Sequence, residues 1–530
     1  MQLVIWFFLT IFMLIGLPSS VHWTAKAGLT IGLALVGLIV FAVRIYCVRK
    51  TNPTSHTYRV NMTDGVILIM ALITVGASLW AYFVDGFPLT GVTREGFPVI
   101  LADLLLLWLV KHSGTQWAST QQEMSKPREE VEQHMAGVRF IRHLLVAFNR
   151  LHRTMQNPRA LLLAFTISGA IALIPAAVFL TGIAPTWNRV MNIVSPCGAN
   201  FNMLAIMSCF FFGTAALLYL ESGRRLFVPL LVWLGAGIVM SRTDSVVLGL
   251  ALLAVIAIYG ALRNGYPLRR LLVIAGAFFW GFGLVAILRL LAPNWYTRLE
   301  NSGLSRFVVR FPLGIFILAG AVCLIIVGII SSVQNHAGNT GADEQSTRTA
   351  DCAITVFVII GLAATLVILA NLGLVTLPTT LQDKLVIHDH WGTARGAIWR
   401  VSLEEWQQFP LRQKLIGVGT DRFFDEMVRH IDHFPSHVDP RFLLPHNIFL
   451  KILIENGLLG LATFLALTLA GIRSFIKGEK SLLRLTAVMV MLMYLSMEML
   501  LVSSPEVTPV VVIFMGLLLR PSDVARASCC

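Results

Sequence analysis

Apolar stretches long enough to cross a bilayer recur along nearly the whole chain, and that recurrence leaves few folds open. They fall near residues 3–17, 28–48, 64–84, 97–112, 159–182, 200–220, 226–241, 244–263, 270–291, 312–332, 352–375, 447–472, 483–502 and 506–519. Inside hydrocarbon every backbone amide needs an internal partner, so such runs fold as helices. With 56% hydrophobic and only 13% charged residues over 530 positions, a soluble globular fold is excluded. The expected class is all-α, a polytopic helical membrane protein of about 12–14 spans with one large loop between late helices. The first run, Leu3 to Leu17, has no basic segment before it and no Ala-x-Ala-like cleavage site, so it is expected to remain as a span.

A net charge of +13 would point to nucleic acid in a soluble chain, but in a membrane protein basic residues collect in cytoplasmic loops. Four loops carry most of this excess: Arg44, Arg49, Lys50 and Arg59; Arg224 and Arg225; Arg263, Arg269 and Arg270; Arg473, Lys477, Lys480 and Arg484. Strict alternation of the spans puts all four on one side, with both termini cytoplasmic and segment 376–446 outside. The chain then divides into N-terminal helices (1–112), a cytoplasmic loop (113–158), central helices (159–375), an external loop domain (376–446) and C-terminal helices with a short tail (447–530). Within 113–158, Val131, Met135, Val138, Ile141, Leu145, Phe148 and Met155 repeat at helix spacing beside Arg139, Arg142, Arg150 and Arg153. That pattern suits a helix lying on an anionic inner leaflet. Segment 333–351 reads as a polar linker.

Seven cysteines show no CxxC spacing and read as small apolar residues. The terminal pair Cys529-Cys530 would suit lipidation in a eukaryote. His388, His390, His430, His433 and His437 match no common zinc spacing and are expected to be solvated, with no metal site. Lys451 and Glu455, four apart on one helix, are expected to neutralise each other, and Asp103 and Arg289 to find partners within the bundle.

Three external features carry candidate chemistry. Ser241-Arg242-Thr243-Asp244 is squeezed between two spans, where an Arg is costly unless paired or functional; a local Arg242–Asp244 pair or a snorkelling Arg reads equally well. Thr393-Ala394-Arg395-Gly396-Ala397-Ile398-Trp399-Arg400, then Phe409-Pro410 and Gly417-Val418-Gly419, reads alone as an amphipathic helix and a glycine turn. Pro445-His446-Asn447 runs straight into a membrane helix containing Gly457 and Gly460. Asn447 suits the N-cap, and His446 alone reads as an interfacial side chain or a group beside the positive end of a helix dipole.

Taken together, a Ser-Arg turn between mid-chain spans, an Arg-x-x-x-Trp helix, a Pro…Gly-x-Gly turn and a His-Asn…Gly-x-x-Gly helix resemble, in that order, the bacterial O-antigen ligase superfamily. The resemblance covers roughly residues 195–475. Asn202, opening the sixth span, also looks like an Asn of that family. The resemblance implies catalytic roles for His446, Arg242 and Arg395, and substrate-binding roles for Arg400, Asn447 and Asn202. It implies a glycan donor on undecaprenyl pyrophosphate, a glycan or lipid A-core acceptor and a bacterial inner-membrane location with an external site. No metal or other cofactor and no nucleic acid is implied. The chemistry of these residue types agrees. Outside the membrane there is no nucleotide-sugar pool, so the donor must be lipid-linked. Two planar guanidinium groups suit a leaving pyrophosphate, and a neutral His suits the acceptor proton. The implied reaction inverts the anomeric carbon. No pair of Arg-x10-Gly motifs of the kind seen in some O-antigen polymerases is present, which favours a ligase over a polymerase. A transporter or flippase of the same lipid-linked glycans is the competing class; it would string its charges along a path through the bundle.

Overall fold

The computed structural model describes residues 2–15, 19–51, 61–85, 96–112, 157–181, 201–241, 243, 245–267, 269–291, 386–389, 391–440, 443–479, 481–498 and 507–520. Among them there is no β-strand. In chain order the helices are α1 (Gln2–Leu9), α2 (Ile11–Leu14), α3 (Ser19–Thr51), α4 (Met62–Phe83), α5 (Phe97–His112), α6 (Pro158–Thr181), α7 (Phe201–Ser222), α8 (Phe227–Met240), α9 (Val246–Asn264) and α10 (Arg269–Leu291). After these come α11 (Trp391–Gln408), α12 (Leu411–Ile416), α13 (Phe423–Arg429), a 3₁₀ turn (Ile431–His433), α14 (Ile448–Lys477), α15 (Leu482–Glu498) and α16 (Thr508–Leu518). Among the described residues, six stretches are long and apolar enough to cross a membrane: Thr24–Val43, Met62–Phe83, Pro158–Val178, Phe201–Ser222, Val246–Asn264 and Ile448–Lys477. The expected spans 312–332 and 352–375, the linker 333–351 and nearly all of loop 113–158 lie outside the described residues.

Helix α7 is apolar all round, and every residue from Met203 to Leu220 is buried. A helix without a polar face has no need of water on any side, and here it is central: α6, α8, α9 and α15 pack around it. A second group, α3, α4, α5, α14 and α16, joins through α15.

Arginines sort the helix ends into two faces. The last carbonyls of any helix lack intrahelical donors, and here arginines of neighbouring elements supply them. Arg270 donates to the carbonyls of Leu220 and Glu221 at the end of α7, at 2.6 and 2.7 Å. Arg263 reaches Phe475 and Gly478 at the end of α14, at 3.1 and 3.0 Å. Arg484 reaches Ser474 and Leu518, and Arg520 reaches Val110 at the end of α5. On the same face, Arg159 holds Glu221 bidentately at 2.9 and 3.0 Å, and Asp64 at the start of α4 takes Lys111 and His112 of α5, both at 2.7 Å. Among the described residues, the basic segments around 263–270 and 473–484 therefore share one end of the bundle with the end of α7, and their arginines cap it.

The unit formed by α11–α13 sits at the other end. It docks on the far end of α4, where Ser78 and Thr420 hydroxyls meet at 2.7 Å, and Arg412 pairs with Asp85 at 3.0 Å while stacking 4.6 Å from the Trp80 ring centroid. Its own core (Ile398, Val401, Phe409, Phe423, Phe434, Leu443) continues into Leu450 and Ile454 on the first turns of α14. Residues 265 and 410 are thus at opposite ends of the bundle. Cysteines placed at these positions in a background lacking reactive thiols should label from opposite sides of the membrane, with 265 on the cytoplasmic side as the basic loops require. Labelling of both by one impermeant reagent in intact cells would break this arrangement.

Candidate active site

The site is built around a break in α14. The 447–472 span was expected to be one helix, but Gly457 sits at φ 66°, ψ −169°, and splits it into arms 448–456 and 458–477. A break of that kind takes the carbonyls just before it out of the helical ladder. The glycine turn answers them: the Val418 and Gly419 amides donate to the Ile454 and Glu455 carbonyls, each at 3.0 Å. The Glu455 carboxylate, in turn, accepts from the Phe423 amide at 3.3 Å. Two glycines make this approach possible. A Cβ on Gly417 (φ 81°, ψ −174°) would lie 2.2 Å from the Glu455 carbonyl carbon and oxygen, and a Cβ on Gly457 would lie 2.3 Å from the Leu415 carbonyl carbon. Both also occupy a backbone region open essentially to glycine alone.

The first arm begins at a capped turn. Asn447 accepts the amides of Phe449 and Leu450 at 3.0 and 3.1 Å, as its position predicts. That oxygen is therefore committed to the helix, and the two amides it caps are not available to an anion. Helix α11 is tied to the same turn by Trp399, whose indole N–H donates to the Pro445 carbonyl at 2.7 Å. Arg395 lies one turn before Trp399 on the same face of α11, and its charge reaches His446. The two nominated residues from opposite ends of the loop domain are thereby brought together.

Their environment is unusual in three respects. Arg395 makes no hydrogen bond or ion pair among the described residues, although its Nε is fully enclosed. Burial lowers its pKa, yet a guanidinium stays charged throughout the physiological range. The His446 ring is half-buried with its Nδ1 enclosed and likewise unpartnered among the described residues. Burial, with the Arg395 charge beside it, holds His446 far below its ordinary range, at about 3, so the ring is neutral. Finally, His446 adopts φ 45° and Ala394, just before Arg395, φ 70°. Left-handed backbone at non-glycine residues stores strain, and such strain clusters where a side chain must be aimed.

The other nominated residues fall differently. Arg242 and Asp244 lie outside the described residues. The turn that carries Arg242 is nevertheless placed: Thr243 Oγ1 lies 3.2 Å from Asn202 Oδ1, so the two features nominated from α7 and the 241–245 turn do meet. Arg400 is exposed and held by two carboxylates, Asp389 at 3.0 Å and Glu404 at 3.1 Å, which leaves Arg395 as the guanidinium facing His446. Asp103, Lys451, Glu455 and Asn456 line a cavity of about 150 Å³ walled mainly by apolar side chains of α4, α5, α14, α15 and α16. The sequence places Arg395 and Trp399 on one helix but carries no sign that the indole ties that helix to Pro445. His430 and His433, expected to be solvated, instead converge on Glu405; His390 lies outside the described residues.

No family, curated protein or solved structure matches this chain.

The glycine seat gives a direct test. Gly457→Ala and Gly417→Ala should each lower the thermal midpoint of the purified protein. Backbone strain alone contributes about 1–3 kcal/mol, and the carbonyl clashes add to it. Gly265→Ala, at a left-handed helix end with open space for a Cβ, should cost less. Equal midpoints for all three variants would show that the seat is not tight.

Proposed function

We propose that the protein is a membrane glycosyltransferase of the O-antigen ligase type, moving a preassembled glycan from undecaprenyl pyrophosphate to an acceptor hydroxyl on a glycan or lipid A-core at the external face. The observation that carries the reading is Arg395: a part-buried guanidinium, its Nε enclosed, without a carboxylate partner among the described residues and set against a neutral imidazole. A part-buried guanidinium with no protein carboxylate has donors to spare for a bound anion, and a pyrophosphate supplies one. Opposite-face placement of the basic helix ends and the α11–α13 unit supports an external site.

In this reading, Arg395 holds pyrophosphate oxygens bidentately and stabilises the charge that gathers on them as the anomeric C–O bond breaks. Arg242, from the turn beside Asn202, provides the second guanidinium. His446 takes the acceptor proton while the acceptor oxygen attacks the anomeric carbon from the side opposite the leaving group. A His held near 3 is a weak base in the empty site. The bound anion changes that, because it offsets the Arg395 charge that keeps the proton off.

Incubation of the purified protein with an undecaprenyl-pyrophosphate-linked oligosaccharide and acceptor should release undecaprenyl pyrophosphate. Arg395→Lys should lose about 100- to 1,000-fold in kcat, because a point charge cannot reproduce the planar fork. His446→Gln should lose about 100- to 10,000-fold while donor binding survives. Near-normal turnover in His446→Gln would remove the base assignment. The pH profiles carry a sign. The acid limb of kcat/KM, which reports the free enzyme, should lie well below the ordinary imidazole value of about 6.5. The acid limb of kcat, which reports the donor complex, should lie at higher pH. Coincident limbs would mean that the donor anion does not sit beside His446.

A further inference from the structure

Helix α11 carries a second polar feature, well away from Arg395. Glu405 follows ten residues later, about 15 Å further along the helix axis. It continues the buried stripe of Ala397, Ile398 and Val401, and its side chain is only 3% exposed. A carboxylate enclosed in an apolar stripe needs compensating partners. Two histidines from the next segment provide them, and both present the same atom. His430 Nδ1 lies 3.0 Å from Glu405 Oε2, and His433 Nδ1 contacts Glu405 Oε1. The imidazole rings tilt towards each other with centroids 5.6 Å apart.

We propose that Glu405, His430 and His433 form a binding site for a divalent transition metal of the zinc type. One ligand atom from each residue can be chosen so that all lie within 4.8 Å of one another. Tetrahedral zinc with bonds of about 2.0–2.1 Å sets its ligands about 3.4 Å apart, so small side-chain rotations close the shell. Two imidazole nitrogens with one carboxylate oxygen form a donor set that zinc favours, and one that magnesium and calcium, which want oxygen, do not. The surroundings match what a ligating histidine requires. The other nitrogen of His430 faces a second carboxylate, Glu426 Oε1 at 3.7 Å, and Glu426 is itself contacted by Arg429 at 3.4 Å. A carboxylate on the far nitrogen sets the tautomer and raises the basicity of the ligating one. His433 is 54% exposed at its side chain, so ions have an entry path and the fourth position is open to water. The sequence conceals the set because Glu405 stands 25 residues before His430.

The site joins α11 to the segment after α13, the two walls of the loop domain's core, so its effect is expected on the stability of that domain. The proposal does not depend on glycosyl transfer. Tag-free, full-length protein in detergent, stripped with a chelator, should bind one Co²⁺ per chain with the strong visible absorption of a tetrahedral site. Zn²⁺ should displace it, as the affinity order requires. Glu405→Gln and His430→Ala should lose that absorption, and Glu426→Gln should weaken binding by about 10- to 100-fold. His433→Ala, at an exposed position that tolerates truncation, should also lose it while keeping the wild-type helical spectrum. Added Zn²⁺ should raise the thermal midpoint of the wild type and not of His433→Ala. Wild-type protein that binds no stoichiometric cobalt would overturn the proposal, leaving Glu405 as a shared hydrogen-bond acceptor. Binding unchanged in His433→Ala would overturn it equally.

Discussion

The seat between the Gly417–Gly419 turn and the break at Gly457 is the contact on which the rest of the candidate site depends. A helix broken after its first nine residues exposes carbonyls at the break, and each one left buried and unsatisfied costs about 1–3 kcal/mol. The loop domain removes that cost by donating Val418 and Gly419 amides to the two carbonyls. The exchange is mutual, because the same contact fixes the loop domain to a rigid helix. Once the turn is seated, the first arm of α14 completes the loop domain's core through Leu450 and Ile454. His446 then emerges at a set height and angle above it. A side chain on a loop is held only as well as that loop's attachment, and here the attachment is backbone to backbone.

Arginine does different work at the two ends of the bundle. At the basic end, Arg263, Arg270, Arg484 and Arg520 spend their donors on helix-terminal carbonyls. Their charge suits the negative end of each helix dipole, so they anchor orientation and close the helix ends at once. At the opposite end, Arg412 and Arg400 are matched with Asp85, Asp389 and Glu404. Arg395 has no such match among the described residues. The contrast matters because an unmatched guanidinium costs free energy in the empty protein, and a bound anion returns it. The strain at Ala394 and His446 and the depressed His446 point the same way. Each is unfavourable in isolation, and in the function proposed above the phosphate group of the donor is what would sit beside them.

A good part of this was legible in the chain alone. Long apolar runs could only be helices, because hydrocarbon offers the backbone no other partners. The side shared by the basic loops followed from their charge, and the cap at Asn447 from a short polar side chain standing before an apolar run. These are local or one-dimensional properties. Arg395, His446 and the glycines could be singled out by spacing, but their relation to one another could not. Gly457 and Gly417 are 40 positions apart, and nothing in either neighbourhood states that one glycine exists to make room for the other's backbone.

Tertiary structure decided which charges were left over. Arg395 and Arg400 stand five residues apart on one helix and both are candidates in the sequence, yet one lies beside His446 and the other is neutralised by Asp389 and Glu404. Glu405, His430 and His433 had no recognisable spacing, since a pair from one turn and a carboxylate from a distant helix meet only after both pack on the same core. The apolar pattern and the basic loops determine that the chain is a helical membrane protein and which helix ends share a side. Pairing, burial and the break in α14 depend on contacts between segments far apart in the chain, and those contacts exist only once the bundle has assembled.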